Sequence, residues 1–293
     1  MIWFFLTIIL FLDRGVWSYL RPDVNVYEPG QKAVIAFNRG IEIMILSNDL
    51  YADTDTKVLE ILPLPGLPQI DSSNVTVFYR IQEKIQEFVF SLAENMALGL
   101  DESRGKGIKE IFHKRIGPHG LTVVQIRNLN DFKNWLEDFL RREGVEKTPE
   151  TAPLESLIKV YIDDKINYFV FDVIEVGTDP LSVVPLKFRF RTDRLYFPLR
   201  ITSLAKGSTK IQLFLLTKDI PDLFRNYPLK PGMTAIGIPI EVKLSPRDLY
   251  QIDPDFARLF SKSAYLTALH YEGPVEELIA DLKIKRYYRL VVE

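Results

Sequence analysis

Cysteine is absent from the 293-residue chain, which excludes disulfides, thiolate metal sites and cysteine nucleophiles. Histidine is scarce: the three residues are His113, His119 and His270, and none belongs to the His-Glu-x-x-His pattern of zinc enzymes. The nucleophile elbow Gly-x-Ser-x-Gly and the dinucleotide fingerprint Gly-x-Gly-x-x-Gly are missing as well. The sequence therefore predicts no catalytic residue, no metal site and no cofactor.

The chain also lacks a large excess of positive or negative charge. Lys and Arg number 37 and Asp and Glu number 39, so the formal net charge is −2. A dedicated nucleic-acid binder usually carries a strong basic excess, and we therefore expect no nucleic-acid partner. Hydrophobic residues make up 47% of the chain and charged residues 26%, which is ordinary for a globular protein.

Hydrophobic runs of membrane-spanning length are missing too. The main apolar stretch is residues 2–12, which as a helix would rise about 16 Å, whereas a bilayer core is roughly 30 Å thick. Charged residues at 13–14 close it, and Val16 and Ser18 are small enough for a signal-peptidase site. We interpret residues 1–18 as the signal peptide of an exported protein; an uncleaved tether and a buried first strand are the alternatives. No later run is long enough for a span.

Hydrophobic spacing predicts strands and amphipathic helices in the first half of the mature chain. Phe78, Ile81 and Ile85 recur at helical spacing, and Asn38 with Gly40 suits a tight hairpin because both tolerate positive φ. The predicted elements are strands over 33–37, 41–47 and 57–62, a helix from the caps at 71–73 to 96, a loop over 99–120, a strand over 121–126, a helix over 131–143 and a third helix that begins at Pro153.

The second half is predicted to be mostly strand. Ser245 and Asp248 form a capping box that starts a helix, and Pro254 divides it because the residue before a proline avoids the helical region. The other predicted elements are strands over 167–176, 184–191, 199–204, 210–217, 235–244, 264–271 and 282–292, with a short helix from Pro274. This order is typical of an α+β fold with mixed, mainly antiparallel sheets and several packed amphipathic helices. We expect one exported domain over residues 19–293, with a candidate subdomain boundary at 146–152.

Several motifs follow one another in the order of a known family. They are Gln31-Lys32-Ala33-Val34-Ile35, Pro63-Leu64-Pro65 with Pro68, Trp135-Leu136, Tyr168-Phe169-Val170, Pro185-Leu186-Lys187-Phe188-Arg189-Phe190, Asp193 and Tyr196-Phe197-Pro198-Leu199-Arg200-Ile201-Thr202-Ser203. With these motifs, the stretch of about residues 27–217 resembles an uncharacterised family of exported prokaryotic proteins, the domain of unknown function 2330. The resemblance implies export and a single integrated fold. It implies no activity, and no catalytic residue carries over from it.

One patterned polar feature is a row of cations in the strand predicted over 184–191. Because side chains alternate with a period of two, Leu186, Phe188 and Phe190 lie on one face and the basic residues on the other. The row and its neighbours form a candidate patch for an anionic partner, and its members are Lys187, Arg189, Arg191, Arg194 and Arg200. The alternatives are a solvated face that discourages edge pairing and an internal ion pair between Asp193 and Arg200.

Two further features have both a functional and a structural interpretation. Asn74-Val75-Thr76 is a glycosylation sequon, which makes Asn74 a candidate glycosylation site, but it lies at the predicted start of a helix. The loop over 99–120 is either a binding loop or a solvated connector. Its cations are Arg104, Lys106, Lys109, Lys114 and Arg115.

Our leading hypothesis is a non-enzymatic binding or structural protein that is secreted or associated with the cell envelope. Its partner would be an anionic envelope polymer or another surface protein. The alternative is an exported hydrolase that acts on glycan or peptide through dispersed carboxylates. The candidate carboxylate pairs are Asp163 with Asp164, Asp253 with Asp255, and Glu276 with Glu277. A third hypothesis is a carrier of lipid or another apolar ligand, held in a cavity between aromatic-rich strands.

Overall fold

The structure is a computed structural model that describes residues 24, 26–95, 119–145, 151–179, 181–182, 184–205, 207–223 and 227–288. The predicted signal peptide and the predicted basic loop up to residue 118 lie outside these ranges.

Sixteen strands and five α-helices occupy the described ranges. The strands are β1 (Val26–Asn38), β2 (Ile41–Ala52), β3 (Thr56–Leu64), β4 (Gln69–Ser72), β5 (His119–Gln125), β6 (Tyr168–Val176), β7 (Leu181–Ser182), β8 (Leu186–Arg191), β9 (Leu195–Phe197), β10 (Ser208–Thr217), β11 (Ile220–Pro221), β12 (Lys230–Pro231), β13 (Glu241–Leu244), β14 (Ala264–Pro274), β15 (Leu282–Ile284) and β16 (Tyr287–Tyr288). The helices are α1 (Thr76–Asn95), α2 (Leu129–Arg142), α3 (Ala152–Asp163), α4 (Pro246–Ile252) and α5 (Pro254–Phe260). None of these helices has both the length and the apolar composition that a membrane span requires.

Nine strands form the larger sheet. Its order is β12-β14-β10-β1-β2-β8-β4, and β13 and β7 pair in addition with β14 and β2. Among the described pairs of this sheet, β1 with β10 is the one parallel pair, and the rest are antiparallel. The predicted α+β class with mixed, mainly antiparallel sheets is therefore confirmed.

The two faces of the larger sheet pack against different layers. Because side chains alternate along a strand, Ala33 and Met44 point to one face, and Val34 and Ile43 point to the other. Helices α1, α4 and α5 cover this second face, where Phe256 is fully buried. The first face packs on the smaller sheet, so both faces contribute to the core.

The smaller sheet has the order β3-β6-β5 and lies between the larger sheet and two helices. Leu62 and Val170 pack with the larger sheet. On the opposite face, Phe171 stacks with Phe132 and contacts Phe139, both from α2, and α3 completes that layer. The layers therefore run helix, sheet, sheet, helix.

The predicted strand over 199–204 is wrong. Arg200–Leu204 is instead a 3-10 helix, and the short strand β9 precedes it. The backbone N–H of Arg200 donates to Oδ1 of Asp281 at 2.9 Å, so this donor is taken by a carboxylate and is not available to a strand partner. Pro198, which has no N–H, separates the two elements.

The predicted strand over 235–244 is correct only in its last four residues, which form β13. The preceding residues form a tight turn closed by Thr234, whose Oγ1 accepts a hydrogen bond from the N–H of Ile238 at 3.0 Å. Gly237 adopts a φ of +78° in this turn, a conformation that glycine reaches without strain.

The long first helix begins later than its sequence signals predict. Residues 69–72 form the edge strand β4, and α1 starts at Thr76, whose N–H donates to Oδ1 of Asn74 at 2.9 Å. Asn74 is exposed and caps the helix. Its glycosylation stays a prediction.

Three local predictions are confirmed because each depends on neighbouring residues alone. The tight β1–β2 hairpin forms, but its positive φ angles are at Arg39 and Gly40, whereas Asn38 ends β1 in extended conformation. Ser245 and Asp248 form the reciprocal capping box at α4. Asp253 is extended, with a φ of −157°, and separates α4 from α5.

Candidate binding surface

The turns at one end of the larger sheet carry a cluster of cations. β1, β8 and β10 end here and β2 and β14 begin here, as their parallel and antiparallel pairing requires. The turns that join these strands therefore meet. We call this region the basic end, and its cations are Arg39, Arg191, Arg194, Lys218, Lys262 and Lys285.

Two exposed arginines lie side by side at the basic end. Arg39 is in the β1–β2 turn, and Arg191 closes β8 opposite Ile41. The N–H of Thr192 donates to the carbonyl of Gly40 at 3.1 Å, which ties the two turns together. Neither guanidinium forms an ion pair with a described residue, so both remain available to a ligand.

Asp193 organises the next part of the basic end. Its carboxylate accepts two hydrogen bonds from the Arg194 guanidinium, each 2.7 Å long, and lies 2.9 Å from Nζ of Lys285. The hydrogen bond from Arg194 and then that from Lys285 hold the pKa of Asp193 well below its usual range. One carboxylate thus brings two cations from distant turns to the same place.

The basic end is strongly positive in a protein of net negative charge. Lys218 follows β10 and Lys262 precedes β14, and the Asn38 side-chain amide donates to the carbonyl of Leu259 at 2.9 Å, which holds the end of α5 beside the β1–β2 turn. Six cations stand against two carboxylates, Asp193 and Asp219, and the neighbouring Arg286 and Asp222 add one charge of each sign, so these turns carry a net charge of +4. Such a concentration of charge attracts anions.

Acidic residues predominate at the opposite end of the sheet. The turn after β2 carries Asp53 and Asp55, and β14 is followed by Glu276 and Glu277. An open groove of about 550 Å³ next to this turn is lined by Asp55, Thr56, Lys57, Glu143, Gly144, Glu175, Val176 and Gly177. Within the described ranges, no three His, Asp or Glu side chains are arranged to hold a metal ion.

Two of the five cations predicted for an anionic patch are internal. Nζ of Lys187 lies 2.6 Å from Asp253 and 2.9 Å from Asp255, at the α4–α5 junction. Burial lowers the pKa of Lys187, but the hydrogen bonds to the two carboxylates outweigh it, so the pKa is raised. Lys187 therefore anchors helices to the sheet. Arg189 is exposed, without an ion pair to a described residue, on the same face as Arg191.

Arg200 belongs to a buried polar cluster around Asp281. Its guanidinium lies over the ring of Tyr161, 5.5 Å from the centroid, and 3.3 Å from Oδ2 of Asp164. Asp281 accepts hydrogen bonds from the hydroxyls of Tyr161 at 3.1 Å and Tyr196 at 3.4 Å. Burial raises the pKa of Asp281 and of both tyrosines. The alternative Asp193–Arg200 pair does not form, because each residue has another partner.

An acid–base cluster lies buried between the two sheets. Nδ1 of His119 is 2.6 Å from Oδ2 of Asp172, and Nε2 is 3.2 Å from the carbonyl oxygen of Val184. Glu60 faces Asp172 across the β3–β6 pair. Burial lowers the pKa of His119, but the hydrogen bond and charge of Asp172 and the charge of Glu60 outweigh it, so the pKa is raised.

This cluster is closed to a substrate in the described structure. The side chains of His119 and Asp172 are each 6% exposed. Both neighbours of the imidazole are hydrogen-bond acceptors, a carboxylate and a carbonyl, and with the raised pKa of His119 they favour the imidazolium form, in which both ring nitrogens donate. A doubly donating His119 holds no lone pair for general-base chemistry. The cluster instead fastens the first residue of β5 to the segment before β8.

Two of the three carboxylate pairs singled out in the sequence form ion pairs with neighbouring cations. Asp163 pairs with Lys159, and Asp164 with Arg200 and Lys283. Asp253 and Asp255 share Lys187, as described above. The Glu276–Glu277 pair lies in a 3-10 turn after β14. The aromatic residues of β8 are packed in the core, so they line no ligand cavity there.

Sequence reasoning missed the basic end as a unit. Its six cations come from five different turns. Only Arg191 and Arg194 belong to the patch predicted from the sequence, and of these only Arg191 belongs to the alternating row. The His119–Asp172 pair was not predicted because Asp172 lies within a strand and nothing next to it in the sequence indicates a partner. A usable signal existed in the second case: Glu60 and Asp172 each lie in the middle of a strand, between apolar neighbours, and buried charges are normally paired.

The comparisons with known proteins give a family and a distant fold likeness. A family model described as "Uncharacterized protein conserved in bacteria (DUF2330)" matches residues 20–227. No curated protein matches the chain. Among solved structures, baculovirus p35 is similar with a TM-score of 0.47 and 12% identity, over 93% of this chain and 99% of that chain. The p35 in a caspase-8/p35 complex gives a TM-score of 0.40 and 10% identity, over 88% and 96%. Likenesses this weak carry no argument about function.

Proposed function

The chain belongs to the uncharacterised bacterial family DUF2330, and from this starting point we propose that it is an exported, non-enzymatic module that binds an anionic cell-envelope polymer through the basic end. Export is supported by the apolar stretch at residues 2–12 and the small residues at 16 and 18. Another surface protein with an acidic patch would satisfy the same chemistry.

The observation that carries this proposal is the net charge of +4 on adjoining turns of a chain whose total is −2. Surface charge of one sign raises the local concentration of oppositely charged ligands. Arg39, Arg191 and Arg189 are exposed and have no described ion-pair partner. Guanidinium groups bind carboxylate and phosphate oxygens in a bidentate geometry. Several such contacts along one polymer add up, although each exposed contact is weak and is screened by salt.

The binding test compares two double variants of equal charge. Arg39→Glu/Arg191→Glu reverses two cations of the basic end. Lys57→Glu/Lys210→Glu reverses two exposed lysines outside it, one near the start of β3 in the smaller sheet and one near the start of β10. The probes are labelled polyphosphate and polyglutamate, and the readout is fluorescence anisotropy at low ionic strength. At about 1 kcal/mol per charged contact, the first variant should bind at least about tenfold more weakly. The second variant should keep most of the affinity. Equal losses in both variants would show that only total charge matters and would contradict the proposal.

Export has a separate test. The mature amino terminus of the native protein is determined by mass spectrometry in cytosol, membrane and medium fractions. A chain that begins near Tyr19 outside the cytosol supports export. An intact chain from Met1 in the membrane would mean that residues 2–12 are a tether, and an intact chain in the cytosol would overturn the proposed localisation.

An exported hydrolase is the second candidate, and the cluster of His119, Asp172 and Glu60 is the observation in its favour. One histidine with two carboxylates is a common acid–base set. Catalysis would require β5 to move away from the segment before β8. Hydrolysis of a peptide or glycan library that is lost in His119→Gln, while the fold is retained, would favour this candidate. Unchanged hydrolysis, or none, would remove it.

A further inference from the structure

β5 is an open edge strand of the smaller sheet. It pairs with β6 on one side, and no described strand pairs with it on the other. An edge strand offers unpaired backbone N–H and C=O groups, which another extended chain can join. Its sequence, His119-Gly120-Leu121-Thr122-Val123-Val124-Gln125, contains no proline, lysine or acidic residue.

The other edges of the two sheets carry the features that normally prevent such pairing. β4 is four residues long and contains Asp71. The opposite edge of the larger sheet, formed by β12 and β13, contains Lys230, Pro231 and Lys243. β3 contains Pro63. Among these edges in the described part of the two sheets, β5 is thus exceptional, because it is seven residues long and unguarded.

We propose that β5 pairs with β5 of a second copy of this chain. The two strands run antiparallel and are related by a twofold axis that passes between the two Thr122 residues. The two smaller sheets then join into one six-stranded sheet. In this register Leu121 of one copy faces Val123 of the other, on the same face of the sheet. These two side chains are 37% and 39% exposed, so the pairing removes apolar surface that a lone molecule leaves in water.

The choice of a second copy as the occupant rests on charge. In a twofold interface every residue meets the same surface patch of the other copy, so a charged residue in the strand would bring like charges together. The one ionisable side chain of β5, His119, is turned inward to Asp172 and does not face the other copy. A strand shaped to accept a different, charged partner would gain from complementary charges that β5 does not have.

The absence of cysteine allows a direct test of the register. Thr122→Cys places the only thiol of the chain on the proposed axis. Opposed residues of an antiparallel pair have Cα atoms about 4.5–5.5 Å apart, within the roughly 4.4–6.8 Å that a disulfide spans. Mild oxidation should therefore give a covalent dimer on a non-reducing gel. Gln69→Cys on β4, also in an edge strand and exposed, is the matched control and should stay monomeric.

Sedimentation velocity tests the pairing without a cross-link. The unmodified chain should reach twice its monomer mass as its concentration rises. Val123→Lys places a charge against Leu121 of the other copy and should remain monomeric with an unchanged melting temperature, since the side chain is exposed in the single molecule. Leu121→Glu alone should be monomeric too. The double variant Leu121→Glu/Val123→Lys restores two cross-axis ion pairs and should recover the dimer.

Three results would overturn the proposal. They are a chain that stays monomeric at all concentrations, a dimer that Val123→Lys does not weaken, and oxidation that cross-links Gln69→Cys as readily as Thr122→Cys. The basic-end variant Arg39→Glu/Arg191→Glu should still dimerise. The self-association and the polymer binding are therefore separately testable.

Discussion

Replacement of Asp281 by alanine is expected to destabilise the fold far from the basic end. Asp281 is 2% exposed and lies beyond the family match, which ends at residue 227. It nevertheless accepts hydrogen bonds from the Arg200 backbone and from the hydroxyls of Tyr161 and Tyr196, at 2.9, 3.1 and 3.4 Å. The family motif at residues 196–203 therefore depends on a carboxylate from the C-terminal part of the chain.

The size of the effect follows from the groups left behind. A buried donor without an acceptor costs about 1–3 kcal/mol, and Asp281→Ala leaves three donors, of which the longest bond contributes least. Part of this cost is offset because burial disfavours the charged Asp281, as its raised pKa indicates. We expect a net loss of roughly 3–5 kcal/mol in the free energy of unfolding. This is a large share of the total, which is about 5–15 kcal/mol for a typical domain.

Asp281→Asn keeps the size and shape of the side chain but removes its charge, so it tests the contribution of the charge alone. Because the folded-state pKa of Asp281 is raised, the wild type loses stability as pH rises from its unfolded pKa of about 4 through the folded value, whereas the Asn variant does not. The stability deficit of Asp281→Asn should therefore shrink as pH rises through this window. A deficit that grows with pH would contradict the assignment.

The assay is equilibrium urea unfolding followed by the fluorescence of Trp135, the one tryptophan outside the predicted signal peptide. The control is Asp164→Asn, because Asp164 binds Arg200 and Lys283 at the surface of the same cluster. Surface pairs contribute about 0–1 kcal/mol, so this variant should stay near the wild type. If Asp281→Ala unfolds within about 0.5 kcal/mol of the wild type, the buried cluster does not have the role assigned to it.

Three further predictions concern stability and use the same unfolding assay. Because the folded pKa of His119 is raised, its contribution is complete below the unfolded pKa of about 6.5 and is lost as pH rises through the folded value. The deficit of His119→Gln should therefore decrease with rising pH, and an increase would refute the imidazolium. Lys187→Met removes the cation paired with the buried Asp253, whereas Asp255 keeps Arg258, and should cost about 2–3 kcal/mol. Arg189→Met on the same strand should stay within about 0.5 kcal/mol of the wild type, and equal costs would refute the distinction. Gly66→Ala places a methyl carbon 2.3 Å from the carbonyl oxygen of Arg191 and should cost about 2–3 kcal/mol. A neutral result would mean that the backbones of Gly66 and Arg191 can move apart without cost.

Local patterns account for much of the fold. The alternation along β8 correctly predicts that Leu186, Phe188 and Phe190 are buried and that Arg189 and Arg191 are exposed. The Arg39–Gly40 hairpin and the Ser245 capping box were predictable because their partners lie within a few residues. The family motifs also led correctly to DUF2330.

Long-range partners account for most of what the sequence did not predict. Asp255 is 68 positions from Lys187, and nothing in the alternation along β8 distinguishes this lysine from Arg189. Asp281 is 120 positions from Tyr161, so the conversion of 200–204 from a strand to a 3-10 helix depends on a residue that no local window includes. An alternating pattern predicts on which face of a strand a charged side chain lies, but whether a carboxylate lies next to it depends on the tertiary fold.

The salt dependence of polyphosphate binding tests the basic end most directly. Each cation that contacts a polyanion releases counterions. Removal of one such cation therefore reduces the magnitude of the slope of log affinity against log salt concentration by about 1. We predict that Arg39→Gln/Arg191→Gln reduces the magnitude of this slope by about 1–2, while Lys57→Gln/Lys210→Gln leaves it unchanged. If both variants keep the wild-type slope, or both lose the same amount, the polymer does not bind at the basic end.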